Sequence, residues 1–114
     1  IEHLYFNSND SIQSPFPSAI AMAGVADTNT VRDVLMWEIH GTGIEIGHGS
    51  EVRVIGGRII GPGNRSDTSI GVHCTGNNGG VHIENTDIIA LGTGVLIENS
   101  SGAGSNREIF ISHA

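Results

Sequence analysis

Side chains able to do acid–base chemistry are sparse in this sequence. Twelve Asp and Glu, six His and five Arg stand among 114 residues, with no Lys and a single Cys. Cleaving a glycosidic bond takes an acid and either a base or a nucleophile, commonly two carboxylates at a fixed separation. Glu45, Glu98 and Asp67 are the candidates for those roles, and His73 is an imidazole suited to act as a base or to tune a neighbouring carboxylate. Eliminating across a bond next to a carboxylate instead needs a base and a cation to hold the enolate. Arg65, Arg53 and His73 are the residue types for that chemistry. Trp37 is the one indole able to stack on a ring, and Arg53 and His82 could line a strip that holds a polar polymer.

Other chemistries find no pattern here. His40, His48, His73, His82 and His113 lack metal-ligand spacing, so no metal or other cofactor is expected. Gly41-Thr42-Gly43 and Gly92-Thr93-Gly94 precede strands rather than helices, which excludes phosphate loops. One cysteine, Cys74, excludes a disulfide framework and a CxxC site, and reads as a small hydrophobe beside a strand. The formal net charge of −7 argues against a nucleic-acid partner or an anionic membrane surface. No apolar run approaches the ~18 residues of a membrane span.

Which of these side chains meet depends on the elements that carry them, and the chain repeats itself. Ser18-Ala-Ile-Ala-Met-Ala23, Thr42-Gly-Ile-Glu-Ile-Gly47, Ser69-Ile-Gly-Val-His73 and Thr93-Gly-Val-Leu-Ile-Glu98 match one another. Their first large apolar residues, Ile20, Ile44, Ile70 and Val95, are 24, 26 and 25 residues apart. Each segment alternates apolar and other residues, as a strand with one buried face does. A second series starts at Val34, Val52, Val81 and Arg107. In its first three members a further anchor follows (Ile39, Ile59, Ile88), and corners are expected at Met36-Trp37, Gly56-Gly57 and Asn85-Thr86. Gly-, Asn- and Ser-rich stretches separate the series and read as turns.

Three short strands per repeat, no helical period and no crossover helix imply a chain winding in one direction. Equivalent strands then stack in parallel around a shared interior. An antiparallel β-sandwich with the same short strands is the competing arrangement. The run Gly80-Val-His-Ile-Glu-Asn-Thr-Asp-Ile-Ile-Ala-Leu-Gly-Thr-Gly-Val-Leu-Ile-Glu-Asn-Ser-Ser-Gly102 resembles the repeat of the right-handed parallel β-helix, or pectin-lyase-like, family. Asn85 falls where that family often places an Asn at a short corner. The expected fold is therefore all-β, a solenoid of about four coils of three short strands. Residues 1–114 form a single partial domain, with an incomplete first coil over 1–24 and repeating coils over 31–114. Ile1 in place of Met, and coils open at both ends, suggest a piece of a longer helix.

The repeat also assigns faces. On the first sheet Ile20/Met22, Ile44/Ile46, Ile70/Val72 and Val95/Ile97 are expected inside. The rows Ala21, Glu45, Gly71, Leu96 and Ala23, Gly47, His73, Glu98 are expected outside. Neighbours in a row lie ~4.8 Å apart, which puts His73 beside Glu98 and Glu45 roughly 11–12 Å from Glu98. That is longer than the ~6.5–9.5 Å of inverting glycosidases, and Asp67, in the longest loop, can approach either carboxylate. On the second sheet the expected rows are Asp33, Arg53, His82, Phe110 and Glu38, Arg58, Asp87, whose alternating charges read as a stabilising ladder or as a saccharide-binding strip.

The resemblance implies an extracellular or virion-surface protein acting on bacterial surface polysaccharide, in the manner of a phage tailspike depolymerase, and a homotrimer. The calcium-binding acidic cluster of many pectate lyases has no match around Asp67. Two alternatives stand beside this expectation. One is a non-catalytic shaft or adhesin segment, favoured by the chemically idle Ala21, Ala23, Gly47, Gly71 and Leu96. The other is a secreted polysaccharide lyase or epimerase, whose polyanionic substrate fits poorly with a charge of −7.

Overall fold

The computed structural model describes residues 1–7, 18–22, 26–47, 49–63, 68–76, 78–98 and 106–112. Among them all regular structure is strand, and every strand pair is parallel. Parallel pairing throughout removes the antiparallel sandwich.

Three sheets share the strands. The first contains β2 (Ser18–Met22), β6 (Thr42–Ile46), β9 (Ile70–Cys74) and β12 (Thr93–Ile97). The second contains β3 (Ala26–Asp27) and β4 (Thr30–Arg32), both paired with β7 (Gly49–Ile55), followed by β10 (Gly79–Glu84) and β13 (Arg107–Ser112). The third contains β1 (Tyr5–Asn7), β5 (Leu35–Trp37), β8 (Arg58–Ile60) and β11 (Asp87–Ile89). From β1 onward the chain visits third, first and second sheet in that order, again and again. This is a solenoid-like course, in which each turn of chain lays one strand on each sheet, except that the first turn divides its second-sheet strand into β3 and β4.

The interior is a set of columns. Ile20, Ile44, Val72 and Val95 stack on the first sheet, and Met22, Ile46, Cys74 and Ile97 beside them. Val31, Val54, Ile83 and Ile111 stack on the second. Met36, Ile59 and Ile88 stack on the third. Met36, Ile46, Val52, Val72, Val81 and Ile83 are fully buried. Each such side chain contributes roughly 1.5–3 kcal/mol through removal from water. Ile97 and Ile111 are about half exposed because no described strand pairs beyond β12 and β13.

The corner between second and third sheets has a fixed conformation. His3, Asp33, Gly56 and Asn85 all have φ between 51° and 68°. The ladder runs through them: the Asp33, Gly56 and Asn85 amides donate to the carbonyls of Ile55, Glu84 and Ser112 at 2.9, 2.9 and 3.0 Å. Asp, Gly and Asn tolerate this left-handed region better than other residues. Gly56-Gly57 and Asn85-Thr86 are therefore corners as expected. The first corner is Asp33-Val34, not Met36-Trp37, because Asp33 takes the left-handed turn and Met36 is needed inside with Ile59.

A second register shift lies on the first sheet. Ile70 pairs with Thr42 and Thr93, so Val72, not Ile70, is the partner of Ile44. The cause is the glycine column Gly43, Gly71, Gly94. A Cβ on Gly43 would sit 2.7 Å from the Gly71 carbonyl oxygen and 2.9 Å from the Ile59 side chain; on Gly71 it would sit 2.5 Å from the Gly94 oxygen. At Gly43 and Gly71 the coils approach too closely for any side chain, whereas a Cβ on Gly94 would make only ordinary contact with Ile88 at 3.6 Å, so the steric constraint on the register lies at β6 and β9.

Candidate functional site

That register decides what the outer face of the first sheet presents. Its row runs Ala21, Glu45, His73, Leu96. Glu45 is thus the direct ladder neighbour of His73, where Gly71 had been expected. His73 pairs across the ladder with Leu96, yet its Nε2 lies 2.7 Å from Oε1 of Glu98. The expected proximity of His73 and Glu98 holds, reached diagonally from a residue just past the end of β12.

Backbone and amide contacts hold Glu98 there. Its N–H donates to the Cys74 carbonyl at 2.9 Å. Its own carbonyl accepts from Asn106 Nδ2 at 2.9 Å. Asn106 Oδ1 in turn accepts from Asn78 Nδ2 at 2.7 Å, and Asn78 Nδ2 also donates to the Ile46 carbonyl at 2.9 Å. Two stacked asparagines therefore tie the ends of three successive first-sheet strands. Asn78 is buried. Sequence reasoning passed over both asparagines as turn residues. The available signal was an Asn just ahead of each of β10 and β13.

The two carboxylates are engaged in different directions. Glu45 Oε2 accepts from Ser18 Oγ at 2.8 Å, back toward the preceding coil. Glu98 faces His73, whose side chain is 15% exposed against 43% for Glu98. A carboxylate on one imidazole nitrogen orients the ring, the usual arrangement for a positioned base. Among the described residues no cavity encloses this group, and it lies open on a sheet face. Asp67 and Arg65 lie outside the described residues. No group of three or more His, Cys, Asp or Glu that could hold a metal ion occurs among those described.

On the second sheet the outer row is Thr30, Arg53, His82, Phe110. Thr30 replaces the expected Asp33, which belongs to the corner. The His82 and Phe110 rings stack with centroids 4.8 Å apart and planes 20° from parallel. His82 Nδ1 is 3.7 Å from Glu84 Oε1. Arg53 has no ion pair among the described residues. The expected charge ladder of Glu38, Arg58 and Asp87 reduces to one pair, Arg58 Nε to Asp87 Oδ2 at 3.3 Å, because Leu35 stands opposite Arg58 where Glu38 had been placed. Trp37 is in β5 and partly exposed, not at a corner. It lies on the third sheet, so the structure does not bring it to Arg53 and His82.

Cys74 is inside, in the column between Ile46 and Ile97. Burial pushes its thiol up to about 11, which keeps it protonated and inert.

In comparisons with protein-family models, curated proteins and solved structures, nothing matches this chain.

Proposed function

We propose that the chain is a segment of a right-handed parallel β-helix of the pectin-lyase-like kind that engages bacterial surface polysaccharide outside the cell. Its setting in this reading is a phage tailspike or related virion appendage, working as a homotrimer. The observation that carries the reading is the His73–Glu98 pair, 2.7 Å apart, beside Glu45 on an open, flat sheet face. A glycan chain laid across that face meets polar groups at one-coil spacing, on a support that costs little to pre-organise. In depolymerisation His73 is the base, oriented by Glu98. Glu45 and Asp67 are the carboxylates available as acid or second base, and Arg65 is the cation available to bind substrate; Arg53 and His82 on the second sheet and Trp37 on the third lie on other sheets than His73 and are not part of this group.

One observation favours a second reading, a non-catalytic shaft or adhesin segment. Glu45 is held by Ser18, and Ala21 and Leu96 fill the rest of its row with groups that do no chemistry. A secreted lyase remains the third reading, since His73 and Arg53 are its residue types.

The deciding experiment is a depolymerisation assay on a panel of capsular, O-antigen and cell-wall polymers, following reducing ends and the absorbance of unsaturated products. The chain is compared with Glu98→Gln, Asp67→Asn and His73→Gln. Reducing ends that vanish in a variant support the hydrolase. Unsaturated products move the assignment to the lyase. Binding without cleavage moves it to the adhesin, and neither binding nor cleavage on any polymer overturns the glycan reading.

A further inference from the structure

Asn78–Gly79 is the one Asn-Gly step in the sequence. Glycine puts no side chain beside its own amide, so this step is the most open in the chain to intramolecular attack. The Gly79 nitrogen, giving up its proton, bonds to Asn78 Cγ. The Cγ–Nδ2 bond breaks, Nδ2 leaves as ammonia, and a cyclic imide remains. Water then opens the imide at one carbonyl or the other, leaving aspartate or isoaspartate at position 78. Water is the only co-reactant, and nothing is oxidised or reduced.

The fold holds both partners away from that reaction. Asn78 is 1% exposed, and its Nδ2 donates to the Ile46 carbonyl at 2.9 Å and to Asn106 Oδ1 at 2.7 Å. Gly79 opens β10 and is paired on both sides, with Ser50 and with Arg107. Closing the ring means pulling the amide off two acceptors and turning Gly79 within a parallel sheet. Water must also reach a carbon that the coils cover. Conversion therefore waits on local opening of the junction between first and second sheets.

The same contacts decide what conversion does. An ionised carboxylate only accepts hydrogen bonds. At position 78 it meets two acceptors, the Ile46 carbonyl and Asn106 Oδ1, in a place closed to water, which is costly. If Asn106 turns its amide round to donate there, it withdraws the same nitrogen from the Glu98 carbonyl at 2.9 Å and the Cys74 carbonyl at 3.5 Å. In the first case Asn106 loses the bond that holds it, and in the second Glu98 loses Asn106. Glu98 is the residue that stands 2.7 Å from His73. Isoaspartate goes further, adding a main-chain carbon at a residue whose carbonyl accepts the Arg107 amide at 2.8 Å. We infer that Asn78–Gly79 is a deamidation site, shielded while the coils are closed, whose conversion frees Glu98 and disconnects it from His73. This coupling is a property of the junction, whether or not the pair acts on a glycan.

The test ages the chain at mildly alkaline pH, folded and in urea, and follows isoaspartate at position 78 by peptide mapping. Gly79→Ala, whose Cβ meets nothing within 4 Å, is the chemical control. Conversion is expected in urea and at least about tenfold more slowly in the folded chain. In urea it is expected to be slower in Gly79→Ala than in the parent. Asn78→Asp stands for the product. Its His73 ring resonances are expected to move from those of the parent while those of His82 stay, and Gly79→Ala should leave both in place. Should Asn78→Asp not fold, Asn106→Ala, at a partly exposed position, reads the same link and should move His73 alone. No isoaspartate in urea, or equal rates folded and unfolded, overturns the shielded site. A folded Asn78→Asp or Asn106→Ala with His73 unmoved, or with His82 moved as far, overturns the coupling to Glu98. None of these readouts uses cleavage, so their failure is distinct from failure of the glycan reading.

Discussion

Glu98 reaches His73 across a register that does not pair them. The ladder sets His73 opposite Leu96, and Glu98 follows two residues on, with its carboxylate turned back to 2.7 Å from the imidazole. Two backbone bonds at Glu98 and the asparagine pair behind it set that position. The contact is therefore a product of the strand ends, not of the strand face.

Replacing Glu98 by Gln keeps the shape and removes the charge. Because the pair is partly exposed, stability should change by less than about 1 kcal/mol. The ring resonances of His73 in heteronuclear NMR spectra should move, while those of His82 stay in place. Glu84→Gln should do the reverse. Spectra in which both variants shift both rings would show that the two pairs are not separate.

Asn78 is the costlier residue to lose. Asn78→Ala removes the donor to the Ile46 and Asn106 oxygens and leaves a small buried void, a loss of about 2–3 kcal/mol. Asn106→Ala, nearer the surface, should cost about 1–2 kcal/mol. Urea unfolding midpoints measure both. Near-equal, negligible losses would mean that the amide pair does not tie the coils.

Two glycines separate a steric requirement from tolerance. Gly71→Ala would put a Cβ 2.5 Å from the Gly94 oxygen and 2.8 Å from the Ile88 side chain. It should destabilise by about 1–3 kcal/mol or more, since the obstacle is partly backbone. Gly79→Ala meets nothing within 4 Å and should be neutral, or stabilising by a few tenths of a kcal/mol through the unfolded chain. The comparison needs only the two unfolding curves.

The repeat made the parallel stacking and the alternation of buried residues legible in the sequence. It also brought His73 near Glu98, but by way of a register that is wrong by two residues at β9 alone, since Val95 and Leu96 stand in line with Ile44 and Glu45 as expected. The error came from anchoring on the first large apolar residue. Ile70 is as apolar as Ile44, yet it belongs with Thr42 and Thr93. The steric constraint lies on glycine: aligning Gly43, Gly71 and Gly94 would have placed Glu45 beside His73. Asp33 was hidden for a related reason. Nothing in its side chain announces a left-handed corner until it is aligned with Gly56 and Asn85. The asparagine pair left only the signal of an Asn just ahead of β10 and of β13, because apart from their mutual bond their partners are backbone carbonyls at the ends of other strands.

The stacked rings on the second sheet give an independent check of register. A double-mutant cycle over His82→Ala and Phe110→Ala should return a coupling of about 0.5–1.5 kcal/mol, as expected for adjacent aromatic rings. Zero coupling would mean that β10 and β13 do not align as described.

Cys74 offers a pH test of the core. Burial raises the thiol from 9.0 to about 11, so between those values the folded chain keeps a proton that the unfolded chain releases. Stability contributed by this group is fully present below pH 9 and declines as pH rises toward 11. Unfolding curves for the chain and Cys74→Ala at pH 8 and pH 10 isolate the effect. The stability gap between the two proteins should narrow at the higher pH, because the variant lacks the titrating group. In the folded chain at pH 8 the thiol should also react with a disulfide reagent many-fold more slowly than in urea. Rapid labelling of the folded chain would place Cys74 at the surface and undo the Ile46–Cys74–Ile97 column on which the first-sheet register rests.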